Sequence, residues 1–187
     1  MRLHAIATVV SLLSVLITAV VRADVWSEAE KQIVRLDPSM FNELPTYIVD
    51  ELKARNCKVP QTYGYGKPHN VISGSFTERD QKNWAVLCSK NGASSIQIFW
   101  GGAAKCPSEI QKSKDRGSLQ GIGNRKIGYS RAIESISKKS ILAYHKAYGG
   151  PSPPPISHQG INDIFLEKAS VVHYCNEGQW IELTGAD

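Results

Sequence analysis

Beyond its first two dozen residues the chain lacks an apolar run of the about 20 residues that a bilayer-spanning helix needs. None of its four cysteines lies two to four residues from another, so the sequence holds no zinc knuckle. There is no His-Glu-x-x-His pair and no Gly-x-Ser-x-Gly elbow, which removes the commonest sequence marks of a zinc protease and a serine hydrolase. The run Gly121 to Gly128 is rich in glycine, but its third glycine is misplaced for a phosphate-binding loop, and it reads as turns. Aromatic residues make up 8% of the chain and do not interleave with basic ones, so no specific nucleic-acid motif is present. No long biased tract occurs, and 187 residues are too few for a full β-propeller.

The chain does open with an export signal. Met1 to His4 is a short basic start, Ala5 to Val20 carries only Ser and Thr as polar members, and Val21-Arg22-Ala23 suits a cleavage site before Asp24. Removing residues 1–23 as a signal peptide leaves 164, read as one domain over 24–187 that is secreted or periplasmic. An oxidising compartment favours two disulfides from Cys57, Cys88, Cys106 and Cys175. Three pairings are open. The strand expected between Cys88 and Cys106 keeps those two apart and leans toward Cys57–Cys88 with Cys106–Cys175.

Charge is uneven. Residues 24–104 balance at nine basic and nine acidic side chains, 105–146 hold ten basic against three acidic, and 147–187 hold one against five. The basic segment 105–146 suits either a solvated face or attraction to an anionic polymer.

Ser27-Glu28-Ala29-Glu30 has the form of a capping box, with Ser27 as N-cap of a helix that ends at Asp37-Pro38. A second helix starts near Pro45, repeats Leu44, Ile48 and Leu52, and closes at Asn56. The loop 61–70 carries Tyr63 and Tyr65, either ligand contacts or loop anchors. From there the period is extended, with strands at 71–76, 84–89 and 95–100 and a hairpin turn at Asn91-Gly92. Strands are also read at 127–136 and 141–148, with helix as the alternative for part of that stretch, and a last hairpin runs across Asn176-Glu177-Gly178. Trp84, Trp100 and Trp180 fall in strands and read as packing residues. Two helices followed by hairpins predict an α+β fold, with N-terminal helices packed on an antiparallel sheet.

Residues 71–102 resemble one repeat of the FG-GAP/VCBS type. Gly74 and Phe76 sit where that family has its Gly and Phe, and Trp84-Ala85-Val86 matches the apolar strand after its calcium loop. The resemblance implies a three-stranded unit. It also argues against calcium, because the ligand positions are Ser75, Thr77, Arg79 and Asn83, Asp80 takes the loop glycine's place, and Glu78 is out of register. No second copy follows. The layout looks like small exported bacterial proteins carrying one degenerate unit of this kind, a resemblance that implies no particular activity. Neither a cofactor nor a metal is expected.

For chemistry, the most site-like cluster is His158 to Asp163, just after the proline loop. A hydrolytic arrangement would join His158 and Asp163 to Ser157 or Ser170. The competing reading is that Ser157, His158 and Asp163 close a turn and cap a short segment. The sequence favours an exported non-catalytic binding or envelope-associated module whose partner is a protein, a glycan or an anionic polymer. A small secreted hydrolase centred on His158 and Asp163 is the alternative. Another is an inhibitor of a foreign enzyme, acting through the loop Gly149–Pro155. Mass spectrometry of exported protein should find Asp24 as its first residue; intact Met1 would refute the signal.

Overall fold

The computed structural model describes residues 25–186, so the export signal expected over 1–23 lies outside the described residues. Residues 25–31 are helical (α1), followed by β1 (Arg35–Leu36), α2 (Thr46–Ala54), β2 (Val59–Pro60), β3 (Val71–Gly74), β4 (Asn83–Lys90), β5 (Ala93–Phe99) and β6 (Glu109–Lys114). Then come β7 (Leu119–Gly121), β8 (Ile127–Tyr129), β9 (Arg131–Ile136), α3 (Lys138–Tyr148), β10 (Gly160–Phe165), β11 (Ala169–Asn176) and β12 (Gln179–Thr184). All strand pairs are antiparallel. Two four-stranded sheets, β3-β4-β5-β6 and β12-β11-β10-β9, are accompanied by the ribbons β1-β2 and β7-β8.

The α+β expectation is therefore overturned. Among the described residues twelve strands in four sheets dominate, the α-helices are three and short, and they do not form an N-terminal block, because α3 follows the ninth strand. Period-two burial explains the layering. Phe76, Ala85, Leu87 and Ile96 of the first half meet Ile133 and Ile161 of the second in one core between the large sheets. The alternate residues Trp84, Val86 and Phe99 face outward onto Ile48 and Leu52 of α2. On the far side, Ile136, Val172 and Tyr174 face Ile141 of α3. The order of layers is helix, sheet, sheet, helix.

Local chemistry sets the elements. Asn91 (φ 52°) and Gly92 (φ 73°) take the left-handed backbone that a tight hairpin between β4 and β5 requires, with Lys90 opposite Ala93. Helix α3 takes the helical alternative over 141–148 in place of the strand. The Ser137 side chain accepts from the Ser140 N–H at 3.2 Å, and Ile141 is the face it buries. The Ser-Lys-Lys-Ser sequence that resembled a hairpin turn is a helix start. Ser27 lies inside α1 and is not its N-cap.

Disulfides join Cys57 to Cys88 and Cys106 to Cys175. The first fastens the end of α2 to β4, the second fastens the β5–β6 loop to β11. Two disulfides suit an oxidising, extracellular or periplasmic environment. Among the described residues no helix is long and apolar enough to cross a membrane.

Leu87 is fully buried between the sheets. Leu87→Ala should lower unfolding free energy by about 2–5 kcal/mol, whereas Leu142→Ala on exposed α3 surface should leave it nearly unchanged. Equal denaturation midpoints for the two variants would contradict this placement of the core.

Candidate functional site

The two large sheets are joined differently along their two sides. On the β3 and β9 side, Asn70 seals the gap: its Oδ1 accepts from Ile133 N–H at 3.0 Å and its Nδ2 donates to Pro60 O at 2.7 Å. Gln159 does the same for the next turn, accepting from Ser75 N–H at 2.9 Å.

The β6 and β12 side is bridged by a buried charge as well as by neutral side chains. Arg131 of β9 is 6% exposed and reaches across to the first sheet. Its Nε and one Nη donate to the two oxygens of Asp163 at 2.9 and 2.8 Å. The remaining N–H groups go to Gln111 O at 2.9 Å, Ser113 Oγ at 3.1 Å and Ser94 O at 3.3 Å. All five guanidinium donors are thus engaged. Burial pushes the Asp163 carboxyl up, but the facing His173 and the bonds from Arg131 outweigh it and hold it below the usual carboxylate range. His173 Nε2 is 3.8 Å from Asp163 Oδ2, too long for a hydrogen bond, so Arg131 is the direct holder. Burial also drives the nearby Tyr129 hydroxyl up to about 12.

Beside this seam lies a cleft of about 370 Å³. β6 supplies Gln111 and Ser113 to one wall, and the β10–β11 hairpin supplies Phe165, Val171 and His173 to the other. Gln111 also donates to Glu182 of β12 at 2.5 Å across one end. His173 is 2% exposed and its Nε2 has no hydrogen-bond partner.

The expected hydrolytic residues are not brought together. His158 stacks on Tyr174 with ring centroids 4.1 Å apart, on the α3 side of the sheet. Its ring nitrogens face Cys175 O at 3.0 Å and Gln159 O at 2.8 Å, leaving neither to receive a serine proton. Ser157 N–H donates to the Tyr174 hydroxyl at 3.0 Å. Asp163 points to the opposite face, toward Arg131. Ser170 exchanges hydrogen bonds with the Ala186 backbone. Sequence reasoning missed Arg131 and His173, which β9 and β11 place beside Asp163; only strand alternation on three correctly registered strands would have grouped them.

Other expected features also find their places. Tyr63 and Tyr65 are anchors: the Tyr63 hydroxyl donates to Glu167 at 2.9 Å, and Tyr65 stacks on His69 at 4.1 Å. His69 Nε2 accepts from Thr62 N–H at 2.8 Å, and burial pushes its pKa down, in keeping with a neutral ring. The loop 149–155 is exposed over Gly149–Ser152 and tied at its base by the Thr184 hydroxyl, which donates to Gly149 O at 2.7 Å. In the segment resembling a calcium loop, Asn83 Oδ1 accepts from Gly101 N–H and Glu78 pairs with Lys105 at 3.2 Å. Among the described residues no group of three His, Cys, Asp or Glu converges for a metal.

The basic segment does not form one face. Arg131 is internal, Lys138 and Lys139 ride on α3, and Lys112 and Lys114 lie on β6. Lys112 borders a second groove, of about 450 Å³, on the outer face of the first sheet. Arg55, Lys90 and Lys112 rim it against Glu109, over a floor of Ser95 and Gln97. Arg55 bonds Gln97 at 2.7 Å and pairs with Glu51. Among the described residues Lys90, Lys112 and Lys114 form no salt bridge.

No protein-family profile, curated protein or solved structure matches the chain.

Asp163→Asn should destabilise by about 3–5 kcal/mol, because it leaves Arg131 charged and buried without its partner. Arg131→Met with Asp163→Leu should recover most of that loss in chemical denaturation. The folded carboxyl titrates below its ordinary 3.8, so its contribution is complete above that pH and is lost as pH falls through the folded value. The double variant should therefore show a shallower acid limb. Wild-type stability in Asp163→Asn would remove the pair from its structural role.

Proposed function

We propose that this chain is an exported, non-catalytic binding module that acts in the cell envelope or outside the cell and holds an anionic polymer in its basic groove. One observation carries the reading: Lys90 and Lys112, both exposed and without carboxylate partners, flank a polar-floored groove with Arg55 across from them. Lys114, opposite Ala93 in the β5–β6 register, extends the row of cations along the edge strand. A row of like charges set along a strand matches a polymer with repeating negative groups and draws it by long-range attraction. Attraction of this kind falls with added salt.

The absence of an assembled proton relay at the expected residues supports binding over hydrolysis. His158 is flanked by carbonyl oxygens, and among the described residues no serine hydroxyl bonds His173 Nε2. The two disulfides support an extracellular or periplasmic site of action. In the same reading, residues 71–102 act as a degenerate FG-GAP/VCBS-like unit that serves as scaffold for the groove.

Heparin serves as the test polymer. The exported protein should be retained on a heparin column at about 50 mM salt and released as salt rises. Lys90→Glu with Lys112→Glu should elute much earlier, while Lys138→Glu with Lys139→Glu on α3 should elute close to wild type. Equal loss of retention in both variants would reduce the effect to net charge and reject the groove.

A further inference from the structure

We propose that the cleft between β6 and the β10–β11 hairpin is a binding subsite for a neutral, hydroxyl-rich ligand of the sugar class. This inference rests on the cleft alone and is independent of the basic groove. Its volume of about 370 Å³ falls within the about 300–1,000 Å³ typical of small-molecule pockets.

Charge selects the ligand class. Arg131 is the one Lys or Arg among the described residues lining the cleft, and its five donors are engaged by Asp163 and by groups of β5 and β6. No cation is left to receive an anion, and Glu182 at one end repels one. Glu182 is itself held by the Gln111 amide, which lowers its appeal to a cation. A neutral ligand meets neither conflict.

The polar groups left over select hydroxyls. His173 is 98% enclosed, and its Nε2 faces Asp163 Oδ2 at 3.8 Å without a hydrogen bond. A buried nitrogen without a partner destabilises the fold unless water or a ligand satisfies it. Ser113 accepts a bond from Arg131 and keeps its own O–H to give. A ligand hydroxyl donates and accepts at once, so it serves both groups. Phe165 and Val171 supply the apolar wall that the C–H face of a sugar ring needs, and Val171 is 39% exposed, which leaves that wall open to an incoming ligand.

The experiment follows the His173 ring resonances by NMR in the exported chain. The probes are cellobiose and chitobiose as neutral sugars, a hexuronic acid disaccharide as a charged one, and tetra-alanine as an extended peptide. A neutral disaccharide should shift His173 saturably, with a Kd of roughly 1 mM. Val171→Trp should weaken that binding by at least about tenfold by filling the cleft. Leu142→Trp, on the exposed face of α3 and outside the cleft, should bind like wild type. The proposal fails if no neutral sugar shifts the ring, or if Val171→Trp binds like wild type. It fails equally if the hexuronate binds as tightly as the neutral sugars, or if tetra-alanine shifts the ring and sugars do not, which would make the cleft a site of strand addition.

Discussion

A single guanidinium fixes how the two halves of this protein meet. Arg131 belongs to the second sheet by its backbone and to both sheets by its side chain: two of its bonds go to Asp163 on the neighbouring strand, three to groups of β5 and β6. Burial of a charge is costly unless its partners are all in place. The full set exists only when β9 and β10 are in register with Ile133 opposite Asp163 and when β6 stands at the right distance. A one-residue slip of β10 would turn Asp163 to the other face and leave Arg131 unpaired. Apolar packing between the sheets tolerates small displacements. This cluster tolerates far less.

A second buried pair plays the same part elsewhere in the first half of the chain. Asp115 is fully buried and accepts from Arg35 at 2.7 Å and from the Ser89 hydroxyl, joining the β1 segment to β4 and to the turn after β6. Together the two pairs determine where β6 begins and ends in space. One holds Gln111 and Ser113; the other holds Asp115, just beyond the strand. The Cys106–Cys175 disulfide secures the approach to β6 from the other direction, and the Trp180 indole N–H bonds Pro107 O at 2.8 Å beside it. An edge strand with little buried surface of its own is thus held by charge pairs and a crosslink.

Legibility from sequence followed local signal strength. The Asn91-Gly92 turn, the β4 and β5 strands and the last hairpin carry apolar runs bounded by turn residues, and each was readable. The disulfide pairing was legible only as a lean among three, from the strand expected between Cys88 and Cys106. β6 was not readable, because Glu109 to Lys114 is polar and exposed almost throughout and is held by partners distant in the chain. α3 stays open between strand and helix in the sequence because Ser137 to Ser140 serves equally well as a turn or a helix start until a partner surface is known. The fold class differs for the same reason: two modest helices stand out early in the chain, while strands made of polar residues carry no periodic signal. At the site, the sequence places Asp163 beside His158, while the sheet places it beside His173. His158 is its neighbour in sequence; His173 is its neighbour in the sheet, one strand over, and no local pattern connects them.

The strand that sequence could not reveal is also the strand on which both grooves depend. Successive residues of a strand point to opposite faces. In β6 this alternation sends Gln111 and Ser113 into the cleft between the sheets and Lys112 to the groove outside. A register shift between Ser94 and Ile96 opposite, with Gln111 at φ 54°, lets β6 depart from regular pairing at that point. Such an irregularity carries little apolar burial and so leaves little trace in hydrophobic periodicity. The residues it frees from packing are polar and accessible on two sides. The chemistry of the surface and the weakness of the sequence signal therefore have one cause: an edge strand fixed by buried ion pairs does not need an apolar pattern of its own.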